Sequence, residues 1–192
     1  MKKLMFTLIA AGACSFYARA QETDPMKALE AYATPGPVHT RMAKATGNWA
    51  HETILLWDPT NPAVSKGTGT VKMILGGRYQ QSEYKGTMMG QSFEGMNILG
   101  YDNKAQVFTT TWIDNMGTGT MTLTGKWDDA TKSVTFTGTA IDPMSGQPMP
   151  VREVVSWPDE DHENMEMYQT MNGTEMKVMV MKSTRVKTAR KK

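Results

Sequence analysis

The segments Gly67-Thr68-Gly69-Thr70-Val71-Lys72-Met73-Ile74-Leu75 and Thr118-Gly119-Thr120-Met121-Thr122-Leu123-Thr124-Gly125-Lys126-Trp127 decide the fold. Both alternate with a period of two. Val71, Met73 and Leu75 fall on one side of the first, and Met121, Leu123 and Trp127 oppose a row of threonines in the second. Successive side chains of an extended chain point to opposite faces, so each segment reads as a strand with one apolar and one wet face. A helix would instead bring apolar residues together at spacings of three and four.

Outward from these two, the same texture begins at Gly47 and recurs in short runs rich in Thr, Val, Ile, Trp and Tyr. The pattern predicts ten strands, near 48–57, 65–75, 78–87, 91–101, 106–114, 118–127, 132–141, 149–157, 163–171 and 175–186. The joins carry turn chemistry: Asp58-Pro59-Thr60-Asn61-Pro62, Gly76-Gly77, Asp102-Asn103, Asp128-Asp129-Ala130, Asp142 to Gly146, Trp157-Pro158-Asp159 and Asn172-Gly173. Asn172-Gly173 suits a two-residue hairpin, which needs positive φ at both positions. No join is long enough for a crossover, so the strands form an antiparallel meander. Closing on itself removes both exposed edges, and the expected architecture is an all-β, about ten-stranded up-and-down barrel over residues 47–186.

The rest of the 192-residue chain reads as appendages. Lys2-Lys3, the apolar run Leu4 to Ala13 and Ala18-Arg19-Ala20 match a cleavable signal peptide at 1–20, which predicts a periplasmic or secreted protein starting at Gln21. The apolar run is too short to span a bilayer. Lipidation at Cys14 is the rival reading; Ala11-Gly12-Ala13-Cys14 lacks the larger aliphatic residue a lipoprotein signal carries. Cleavage after Ala20 would remove the one cysteine, so the fold stands without disulfides. Residues 21–46 form a helical preface: Asp24 offers an N-cap, Pro25 a first helical position, and Pro35-Gly36-Pro37 a break. Residues 187–192 read as a basic, disordered tail.

Charge excludes one class of partner. Taking Lys2, Lys3 and Arg19 from 21 basic residues leaves 18 against 19 acidic, and setting aside Arg185, Lys187, Arg190, Lys191 and Lys192 leaves 13 against 19. A body at net −6 shows no basic face for nucleic acid.

Gly47-Asn48-Trp49 opening the first strand, with Arg185 on the last able to cover the indole, resembles the closure of lipocalin-type (calycin) barrels. The longer stretches PVHTRMAKATGNW, MILGGRYQQSEYKGTMMGQSFEGMNILGYDN, TTTWIDNMGTGTM and DPMSGQPMPVREVVSW are similar to an exported bacterial family known only as domain of unknown function 1579, from about Pro37 to Lys187. That resemblance implies a lipocalin-like barrel. It implies no activity, cofactor or catalytic residue.

Chemistry must then be sought residue by residue. Eighteen methionines become sixteen once Met1 and Met5 leave with the signal. Met165, Met167 and Met171 share one parity, as do Met179, Met181 and Arg185; if Arg185 points inward to Trp49, so do Met179 and Met181. Thioethers suit Cu(I), but such sites cluster beside histidine, and His162 lies at a turn. Packing or pocket lining by a flexible, polarizable side chain is the preferred reading. His51 shares the parity of Trp49 and faces the interior, where it can bond a ligand, ligate haem iron or be satisfied by the wall. The run Asp159-Glu160-Asp161-His162-Glu163 reads as a solvated hairpin. Glu153 alternates with Val151, Val155 and Trp157, and Gln169 lies among methionines, so both are candidate polar anchors. No histidine or cysteine spacing for zinc appears, nor a nucleophile elbow or phosphate loop. No catalytic or metal residue is assigned and no cofactor is expected, haem and Cu(I) being the rivals.

The ligand-facing set is Trp49, His51, Met73, Met121, Glu153, Met165, Met167, Gln169, Met179, Met181 and Arg185. Barrels wider than about eight strands leave room for a guest, so the expected function is binding a small apolar molecule in a Met- and aromatic-lined interior. Two alternatives stand beside it: a filled barrel that docks a protein partner, and a haem or metal protein or enzyme using His51.

Overall fold

The computed structural model describes residues 24–171 and 173–187. The expected signal peptide, Cys14, Asn172 of the last hairpin turn, and tail positions 188–192 lie outside the described residues. Two short helices, α1 (Pro25–Ala33) and α2 (Pro37–Ala43), precede ten strands. These are β1 (Gly47–Leu55), β2 (Ala63–Ile74), β3 (Tyr79–Met88), β4 (Gln91–Asp102), β5 (Val107–Asp114), β6 (Met121–Asp128), β7 (Ser133–Ile141), β8 (Pro148–Ser156), β9 (His162–Met171) and β10 (Thr174–Arg185). Each strand pairs with its chain neighbours and β1 pairs with β10, giving a closed barrel. The closing pair is antiparallel, with Trp49 opposite Arg185 and Leu55 opposite Met179.

All ten expected strands form, with shifted ends. β1 stops at Leu55 because Asp58 accepts from Thr60 N at 3.0 Å, starting a turn that leaves Trp57 exposed. β6 starts only at Met121; Asn115 reaches back instead, accepting from Glu94 N at 3.0 Å and donating to Ser92 O at 3.0 Å.

α1 lies on the outside. Asp24 caps it by accepting from Met26 N at 3.0 Å, and Asn103 holds its C-terminal end by donating to Thr34 O at 2.8 Å. α2 closes one end of the barrel as a floor. Met42 is buried with Leu99, Phe108, Leu123, Val134, Phe136 and Val151 in the core cluster. Gln80 Nε2 donates to Met42 O at 2.8 Å, and Trp49 Nε1 donates to Ala45 O at 2.9 Å. His39 is buried too, its Nδ1 accepting from Gly36 N at 3.1 Å at the start of α2.

The seam is fastened by Arg185. Its guanidinium lies 4.5 Å above the Trp49 ring and donates to Thr46 O at 2.7 Å, Lys44 O at 2.7 Å and Glu160 O at 2.8 Å. An ion pair of 3.3 Å to Asp161 completes the set. One arginine therefore ties together the floor, the first strand and the turn before β9.

Candidate functional site

Directly paired residues on neighbouring strands share a face, so the register carries the inward assignment around the barrel from Trp49. His51 lies opposite Ser183, which lies opposite Glu163; Thr53 leads to Met181, Met165 and Val155; Leu55 leads to Met179, Met167 and Glu153. On the other side Met73 lies opposite Gln80, Met121 opposite Trp112 and Gln169 opposite Val151. All eleven candidate residues therefore belong to the inner face. A bulge between Lys177 and Met179 places Val178 in the core without changing the parity of Met179, Met181 and Arg185.

The inner face divides into three levels. Next to α2 the side chains are tightly buried: Leu99, Phe108, Leu123, Val134 and Phe136. Toward the far end Trp112, Met121, Met149, Met167, Met179 and Met181 point inward yet are only half-buried, so accessible space adjoins them. Between the two runs a polar belt of His51, Ser183, Glu163, Glu153, Tyr84 and Ser82.

His51 Nδ1 is 2.8 Å from Ser183 Oγ, and its ring centroid lies 4.8 Å from that of Tyr84. Its Nε2 is buried without a hydrogen-bond partner. The ring rests on Gly69, where a β-carbon would collide with Nε2 and lie 2.7 Å from Glu83 O. Burial pulls the His51 pKa down to about 4, so the imidazole is neutral at physiological pH. An iron atom would reach Nε2 only if Gly69 or Tyr84 moved.

The acids behave oppositely. Burial, then the charge of Glu163, pushes Glu153 up to about 7. Burial also raises Glu163, partly offset by the indole of Trp157, whose Nε1 donates to Glu163 Oε2 at 2.8 Å. Tyr84, projecting from β3 on the other wall, is raised by burial and then by the charges of Glu163 and Glu153. The phenol therefore lies within electrostatic reach of both carboxyls across the lumen. Glu163 corrects the sequence reading: it is not part of the solvated acidic turn but an inward residue of β9. Asp159 and His162 do form that turn, with His162 Nδ1 2.8 Å from Asp159 Oδ1. Shared parity with Met165 and Met167 was the signal that placed Glu163 inside.

A cavity of about 320 Å³ opens between α2 and the barrel wall, lined by Met42, Leu99, Phe108, Trp127, Val134 and Trp157 among others. Arg41 covers Trp127 at 4.2 Å, and the Trp127 and Trp157 rings are 5.9 Å apart. Of the eleven candidates, Trp49 and Arg185 line this cavity, and Met73 packs against the core cluster at the same end, opposite Gln80. Among the described residues no group of three or more His, Cys, Asp or Glu side chains is arranged to hold a metal ion, and no helix is long and apolar enough to cross a membrane.

A closed antiparallel meander, sealed between first and last strands by a Trp–Arg pair and floored by a helix, defines a lipocalin-like barrel. Residues 34–185 match the family described as "Protein of unknown function (DUF1579)", and the chain belongs to that family. A similar solved structure is that of Rv2717c from M. tuberculosis, with a TM-score of 0.59 and 9% identity, covering 80% of this chain and 100% of that one. At that identity the likeness shows the fold alone. No curated protein matches the sequence.

Proposed function

We propose that the protein is an exported carrier that holds a small, largely apolar molecule inside its barrel. The supporting observation is the half-buried state of inward methionines and Trp112 in a wall that is closed all round. A filled barrel would bury those side chains as completely as Leu123 and Val134, each 1% exposed. Thioether side chains adapt to guests of varied outline at little rotameric cost, and aromatic rings supply rigid contact surface. The reading is tested by native mass spectrometry of protein purified from its own host. A copurifying mass that is lost on denaturation is expected. A bare chain mass, with no shift in melting temperature on adding apolar probes, overturns it. Export is checked in the same preparation by an N-terminus at Gln21.

One observation favours a second reading, in which the barrel docks a partner protein by its far end. Trp57, Met89, Met116, Ile141 and Met144 are exposed in or beside turns around the rim opposite α2. Charged substitutions at Trp57 and Met144 that abolish co-purification of a defined protein, with ligand content unchanged, would favour it.

A further inference from the structure

The polar belt is asymmetric in charge. Glu153 and Glu163 project into the lumen from β8 and β9, and Asp114 at the far end of β5 accepts from Trp112 Nε1 at 2.6 Å. Among the described residues, no lumen-facing strand residue answers them with a free positive charge. Arg185 is committed at the floor to three carbonyls and Asp161, and His51 is neutral. The other strand cations near carboxylates serve the outer face, where Lys72 pairs with Glu83, Lys85 with Glu94, Arg152 with Glu175 and Lys177 with Glu166. Glu163 has the Trp157 donor. Glu153 has no such donor among the described residues; burial and the neighbouring acid alone act on it. Both acids are half-buried, so their carboxyls reach the lumen space, and an unpaired carboxyl there is stabilised by a hydrogen-bonding or charged guest.

Facing it is an aromatic wall. The Tyr84 and Trp112 rings meet edge to face at 5.3 Å, and Trp112 stacks on Phe93 at 6.2 Å. Gly95 makes room for it, since a β-carbon there would collide with the Trp112 indole. Aromatic faces opposite a carboxylate suit an alkylammonium ion, which the ring quadrupole and the carboxylate both attract. A fatty carboxylate would meet two acids there, and a neutral alcohol would leave an ionised carboxylate uncompensated.

We propose that the guest is a cationic amphiphile whose ammonium group sits between Glu153, Glu163 and Tyr84 while its hydrocarbon chain runs along the methionines. This rests on the carrier reading and names the chemistry of its ligand. The test uses the full mature chain at pH 8 and three probes of matched length: dodecylamine, dodecanol and dodecanoate. Each displaces a fluorescent apolar reporter. The amine should bind about tenfold or more tightly than the alcohol, a difference within reach of one charged hydrogen bond, and dodecanoate should bind weakest. In Glu153→Gln the advantage of the amine over the alcohol should shrink to about threefold or less while alcohol affinity is unchanged. Glu163→Gln serves as the second variant and should act in the same direction. Equal binding of amine and alcohol, tighter binding of dodecanoate, or an amine preference that survives both variants overturns the headgroup assignment and leaves the carrier reading intact. Failure of all three probes overturns both.

Discussion

Glu153→Gln keeps the side chain's shape and polar end but removes its titration, so the stability difference between the two proteins isolates one proton. The folded-state value of about 7 stands against an ordinary value of 4.5, because burial and Glu163 disfavour the charged form. Each pKa unit is about 1.4 kcal/mol, so that gap corresponds to about 3 kcal/mol at high pH. Below pH 4.5 the acid is protonated in folded and unfolded chains alike, and it exerts no pH-linked penalty. Between 4.5 and about 7 the unfolded chain ionises first and wild-type stability falls; above that the full penalty applies. Glu153→Gln should therefore match wild type at pH 4 and exceed it by about 3 kcal/mol at pH 8, or roughly 6–12 °C in melting temperature for a domain of this size. Thermal melts followed by circular dichroism at pH 4, 5.5, 7 and 8 measure the difference. Groups shared by the two proteins largely cancel. A difference that is flat with pH, or one that favours wild type at pH 8, refutes the inward placement of Glu153 beside Glu163.

Three other outcomes follow from the packing. Arg185→Ala removes the cover of Trp49 and the donors to Lys44, Thr46 and Glu160 carbonyls; a loss of about 2–4 kcal/mol in urea unfolding is expected, with Lys at 185 recovering only part of it. Gly95→Ala drives a methyl into the Trp112 indole and should cost about 1–3 kcal/mol, shift the tryptophan emission, and be largely relieved by adding Trp112→Leu. Gln80→Ala removes the side-chain donor to the Met42 carbonyl, which keeps Ala45 N at 3.1 Å; about 1 kcal/mol is expected, seen as faster hydrogen exchange over 37–43 with protection in β5 to β7 unchanged.

Most of the barrel was legible in period-two patterning because each strand is half wet, and its inner and outer residues differ in chemistry. The seam was legible because Trp49 and Arg185 bracket the sheet and parity carries Met179 and Met181 with them. Other features depended on distance relations that no local window contains. Glu163 was masked by its neighbours: four polar residues before it dominate the composition, while its inward orientation is set by β9 parity. The floor cavity arises where Trp127 and Trp157, thirty positions apart in sequence, meet beneath α2. In α2 itself Met42 is a lone buried apolar side chain in a seven-residue helix, too little periodicity to announce a plug. The lack of partners at His51 Nε2 and Glu153 likewise follows from which walls face each other once the sheet is closed.

The seam also sets an order of events in the making of the protein. Every other pair of strands is joined by a short turn and can associate as soon as both have emerged, but Thr46 and Arg185 are separated by 139 positions. Meeting across that span carries a loop-closure cost and delays the final step. Until the last dozen residues of β10 arrive, a chain leaving a ribosome or a translocation pore presents two raw sheet borders able to recruit other molecules. Proteolytic trimming short of Arg185 would produce an adhesive ribbon rather than a smaller barrel.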